Sequence, residues 1–123
     1  MTPEMTDIAR RAVACKGWRW MPGMLALPSD GMVFTPVRLA DEHEWPHDIG
    51  LRVPDLRDPA TLGCVLALVR VAHDDECACV FPIDYGPGGV RWIARLTAGG
   101  RDMTQHVHAS EAEALVAALK AAP

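Results

Sequence analysis

The chain has 123 residues, half of them apolar and 23% charged, with a formal net charge of −4. That balance excludes a disordered chain, and the length suits one domain over residues 1–123 whose core needs no metal or disulfide to hold it. The 12 basic residues are scattered, which disfavours direct binding of nucleic acid, and no stretch approaches the roughly 18 to 20 apolar residues that cross a bilayer.

The amino terminus, "MTPEMTDIARRAVACKGW", places acids before its arginines and has no unbroken apolar run, which is not the order of a secretory signal. The expected compartment is therefore the cytoplasm, where four cysteines stay reduced. A first helix is predicted over about 3–15, with Thr2 as N-cap, Pro3 at its first position, and Met5, Ile8, Ala12 and Cys15 on one face. Gly17 can end it. "WRWMPGMLAL" (18–27) and "MVFTPVRL" (32–39) flank the turn "PSDG" and read as a hairpin, with Pro22 and Pro36 confined to edges or bulges.

Asp58 and Pro59 then open a second helix, "ATLGCVLALVRVAH", whose one charge before the "DDE" turn is Arg70. A helix so apolar is central to the core or covered by a partner chain, so a homodimer is left open. Gly63 is expected to mark close approach to another element. "CACVFPI" (77–83) and "VRWIARL" (90–96) flank "DYGPGG" as a second hairpin. Val90, Trp92, Ala94 and Leu96 share one face, opposite Arg91, Ile93 and Arg95. A short strand follows at about 104–108, and Ser110 with Glu113 makes an S-x-x-E capping box for a third helix. The order αββαβββα describes an α+β fold, three helices packed on an antiparallel sheet of about five strands.

The residues that carry chemistry are few. Cys77 and Cys79 would share a strand face with Phe81, and His106 and His108 would share another, so a zinc site from these four is permitted if their strands adjoin. The C-x-C spacing departs from the C-x₂₋₄-C knuckle of structural zinc sites, so no metal or other cofactor is expected. No cysteine sits in a nucleophile turn or at a helix N-terminus, which argues against an enzyme. "YGPGG" lacks both phosphate-loop frames and precedes a strand, as a hairpin turn does. Trp18, Arg19 and Trp20, with Arg91, form an alternative site that would stack and hold a nucleotide.

The acids cluster at "DEHEWPHD" (41–48) and "DDE" (74–76). His43 and His47 are four apart, but Pro46 between them opposes the helix that would pair them. Trp45 amid carboxylates has the composition of an interface residue. Asp41, Glu42, Glu44, Trp45 and Asp48, with Asp74, Asp75 and Glu76, are therefore the candidate partner-binding set.

"ARRAVACKGWRWMPGM" (9–24), "VPDLRDPATLGCVLALVR" (53–70) and "SEAEALVAALKAAP" (110–123) together resemble a group of small bacteriophage- and prophage-encoded proteins, over about two fifths of the chain. Phage accessory proteins of this size without catalytic motifs are often inhibitors of host systems, anti-CRISPR and other anti-defence proteins among them. The resemblance implies a non-enzymatic inhibitor in the host cytoplasm, whose partner is a host protein or defence effector complex. An acidic patch can mimic nucleic acid toward an arginine-lined groove.

Overall fold

Each helix starts at a side chain that satisfies its first free N–H groups. Thr2 Oγ1 accepts from Met5 N at 3.2 Å, Asp58 Oδ2 from Thr61 N at 3.0 Å, and Ser110 Oγ from Glu113 N at 3.1 Å. The computed structural model describes residues 2–29, 35–96 and 107–123. In chain order these form α1 (Pro3–Val13), β1 (Leu25–Pro28), β2 (Val37–Arg38), β3 (Arg52–Pro54), α2 (Pro59–Ala72), β4 (Cys79–Asp84), β5 (Val90–Arg95), β6 (Val107–His108) and α3 (Glu111–Lys120).

The class is α+β, but the strands do not form one five-stranded sheet. They make two antiparallel sheets of three, in the orders β2-β1-β3 and β4-β5-β6. The strand absent from the sequence reading is β3, which pairs Ala26 with Pro54, Leu27 with Val53 and Pro28 with Arg52. Pairing of β1 on both sides makes it the central strand of the first sheet, with β2 and β3 as its edges. The first hairpin is correspondingly shorter than its apolar runs, and Trp18 and Trp20 lie outside any strand. Asp30 and Gly31 of its predicted turn, like residues 104–106 of the last predicted strand, lie outside the described residues. Pro54 and Pro82 sit on β3 and β4, both edge strands, where a missing N–H costs no ladder bond.

The helices form a layer with α3 in the middle. The N-terminal ends of α1 and α3 line one hollow of about 580 Å³ and their C-terminal ends another, so the two run side by side in the same sense. Helix α2 follows α3 likewise: Pro59 and Glu111 line a shared groove, and at the other end His73 Nε2 donates to the carbonyl of Ala118 at 2.7 Å. Ala112, Ala114, Leu115, Val116, Ala118 and Leu119 are all buried, making α3 the helix enclosed on most sides. Small alanines let its neighbours approach closely.

The sequence allowed α2 either that central role or cover by a partner chain. Within the chain it is not the central helix: it buries one stripe, Thr61, Val65, Leu68 and Val69, and leaves Val71 67% exposed. Gly63 is also misassigned by the sequence: a Cβ there would meet nothing within 4 Å, whereas one at Gly17 would lie 3.2 Å from both Ala72 Cβ and Leu119 Cδ1. The close approach is at Gly17, where the chain leaves α1 and passes between α2 and α3. One hydrophobic cluster joins all three helices to both sheets. Among the described residues no helix is long and apolar enough to cross a membrane.

Candidate functional site

The acidic stretch 41–48 is built around two short 3-10 turns. Asp41 caps the first, Glu42–Glu44, by accepting from His43 N at 3.1 Å, and Asp48 precedes the second, Ile49–Leu51. The chain is extended at Trp45, immediately before Pro46, so His43 and His47 do not share a helix. Trp45 turns inward and packs, half-buried, against the core cluster. It anchors the loop from below and is not an exposed contact residue.

Asp48 is likewise committed. Arg52 Nε donates to both of its carboxylate oxygens at 3.1 Å, and the Arg52 side chain is only 4% exposed. The same guanidinium donates to the carbonyls of Ala26 and Thr35. What the loop presents to solvent is Asp41, Glu42 and Glu44, with His43 and His47. Three carboxylates thus stand on a turn held from beneath by a tryptophan and a buried ion pair.

The second acidic cluster closes α2. Asp74 adopts φ +50, and Asp75 is buried, accepting from Cys77 N at 3.0 Å. Asp75 therefore shapes the turn into β4, and only Asp74 and Glu76 of this cluster are exposed.

The alternative sites are dispersed. Cys77 is exposed before β4, Cys79 pairs with Arg95 on one face of the second sheet, and His108 pairs with Trp92 on the opposite face. Strand β5 also lies between β4 and β6. Cys79 and His108 consequently do not converge, and His106 lies outside the described residues. Among the described residues no group of three or more His, Cys, Asp or Glu side chains is arranged to hold a metal ion. Trp18 and Trp20 meet edge to face, with centroids 5.3 Å apart at 81°, and both pack against the core. The rings stand nearly perpendicular, so they offer no parallel stacking platform. Arg19 is exposed between them, while Arg91 lines a separate hollow with Tyr85, Gly88 and Val107. Burial pushes the thiols of Cys15 and Cys64 up from their ordinary value, the reverse of what a nucleophile needs.

Sequence reasoning missed the network that holds the first sheet to α2. Leu25 N donates to Thr61 Oγ1 at 2.9 Å, Thr61 Oγ1 donates to Asp58 Oδ2 at 2.8 Å, and Arg38 forks onto the same carboxylate. The cap at Asp58 was legible; its partner Arg38, twenty residues earlier, was not. It also missed that Ile93, on the face read as polar, retains only 4% of its accessible surface. An isoleucine between two arginines was the available signal.

No family model matches the chain, and neither a curated protein nor a solved structure matches it.

Proposed function

We propose that this is a phage-encoded, non-enzymatic binding protein that inhibits a host defence component, in the manner of anti-CRISPR and other anti-defence proteins, from the host cytoplasm. The observation that carries the reading is the clamped acidic turn: Asp41, Glu42 and Glu44 are exposed on a loop fixed by buried Arg52 and inward Trp45. Preorganised carboxylates lose less freedom on binding than flexible ones, and they complement an arginine-lined groove that ordinarily receives phosphates. Asp74 and Glu76 extend the acidic character to a second turn.

The test is capture of the tagged protein's partner from lysate of its bacterial host, repeated with Asp41→Lys, Glu42→Lys and Glu44→Lys combined. The expected result is a defence effector bound by the native protein at near-stoichiometric level and released by the charge-reversed variant, which still folds. Undiminished capture and inhibition by the variant would remove this loop as the binding face.

A further inference from the structure

Helix α2 carries an outward surface with almost no charge. Pro59, Gly63, Leu66 and Arg70 follow one another at intervals of four, three and four residues, so they share one stripe, turned away from the buried Thr61, Val65, Leu68 and Val69. Pro59, Gly63 and Arg70 are exposed, and Leu66 is half-buried. From Pro59 to Ala72 the one charged residue is Arg70. A helix apolar on its outer side as well as its inner one is ordinarily covered. The stripe forms one wall of a groove of about 360 Å³, which Leu62, Val80 and the buried Leu115 also line.

The two ends of this surface are opposite in charge. At the start of α2, Glu111 of α3 lines the groove beside Pro59. One turn beyond Leu66, Arg70 is held in place by donating from Nε to the Ala78 carbonyl at 2.8 Å, so its outer N–H groups are aimed by the fold. Eleven residues of helix separate Pro59 from Arg70, which is about 16 Å, so Glu111 and Arg70 cannot meet within one chain. Neither makes an ion pair among the described residues, whereas Arg11, Arg38, Arg52 and Arg57 each hold an aspartate.

The complement of this surface is an apolar helix face with the same two charges at the same separation, in reverse order. Helix α2 of a second copy, with Glu111 beside its start, supplies it. We infer that the outer stripe of α2 is the interface of a two-fold symmetric dimer in which the α2 helices of two copies pack antiparallel. Symmetry makes every contact occur twice. Placing Arg70 of each copy level with Pro59 and Glu111 of the other sets Leu66 opposite Gly63 and Ala67 opposite Leu62. A Cβ at Gly63 would meet nothing within 4 Å of its own chain, so the tip of the second copy's leucine has space to enter. Two copies of net charge −4 repel at a distance, and the paired Arg70–Glu111 contacts orient them once they are close. The interface uses no residue of the acidic turn and requires nothing of it.

The experiment is sedimentation equilibrium of the intact protein, with circular dichroism checking that each variant folds. The native chain is expected to be a dimer at about 100 μM, a concentration that populates even a weak interface. Gly63→Glu, at an exposed position where glutamate is the better helix former, should raise the dissociation constant at least about tenfold. Arg70→Glu and Glu111→Lys should each do the same by setting like charges together. An equimolar mixture of those two variants should recover a one-to-one dimer, because each of its cross-contacts joins opposite charges. A native chain that stays monomeric overturns the inference and leaves the stripe to a different protein or a small ligand. So does a dimer that Gly63→Glu leaves intact, which would place the interface on another face, or a mixture that stays monomeric, which would exclude the antiparallel pairing.

Discussion

Arg52 donates through Nε to both carboxylate oxygens of Asp48, and through Nη1 to the carbonyls of Ala26 and Thr35 at 3.2 and 2.6 Å. One buried guanidinium thus ties the end of the acidic loop to β1 and to the segment entering β2. Asp48→Ala leaves that cation buried without its carboxylate and is expected to lower the unfolding free energy by about 3 kcal/mol. Glu42→Ala, at an exposed position, should change it by less than about 0.5 kcal/mol. Urea denaturation of the two variants checks the contrast. Equal effects would mean that the clamp does not hold the loop.

A second ion pair governs behaviour in acid. The Arg38 fork, helped by Thr61, holds the Asp58 carboxyl at about 2, below its ordinary 3.8, against an opposing push from partial burial. Asp55 is lowered too, chiefly by the side chain of Arg57. Folding therefore favours the ionised carboxylates, so their stabilisation is complete above about pH 4 and lost as the pH falls through about 2. The urea midpoint is expected to drop across that window. Asp58→Asn keeps a capping oxygen but cannot titrate, and its drop should be shallower; identical profiles would place the acid sensitivity elsewhere.

The close approach that the sequence assigned to Gly63 belongs to Gly17. At Gly17 a methyl group would press on Ala72 and Leu119, both 3.2 Å away, so Gly17→Ala should destabilise by about 1 kcal/mol. At Gly63, inside α2, a methyl group enters open space, and Gly63→Ala should stabilise by about 0.5 to 1 kcal/mol through helix propensity. Thermal melts should therefore move in opposite directions.

The same division between local and distant information runs through the fold. Helix starts were legible because a cap and its N–H donor lie three residues apart, as with Asp58 and Thr61. The second hairpin was legible because β4 and β5 are joined by a short glycine-rich turn. Strand β3 was not, since only its pairing with β1, centred on Leu27 and Val53 far apart in the chain, makes three residues a strand. At the candidate site the acids were visible as composition. Which of them project and which are consumed by structure depended on Arg52 and on the turn at Asp75, where an Asx contact was hidden among three similar carboxylates.

The capping of α3 carries the last prediction. Ser110 Oγ accepts from Glu113 N as the S-x-x-E pattern requires, but the returning carboxylate reaches Ala109 N, at 3.3 Å, one residue before the cap. The box therefore also fixes the chain between β6 and α3. Because α3 packs against both other helices and the second sheet, loosening its start cannot be confined to one turn. Ser110→Ala is expected to cost about 1 kcal/mol, and Ser110→Asp to restore most of it. Hydrogen exchange should show the loss distributed over α1, α2 and α3 together, as cooperative unfolding around a shared central helix demands. Faster exchange confined to Glu111–Ala114 would instead show that the helix start frays independently of the core.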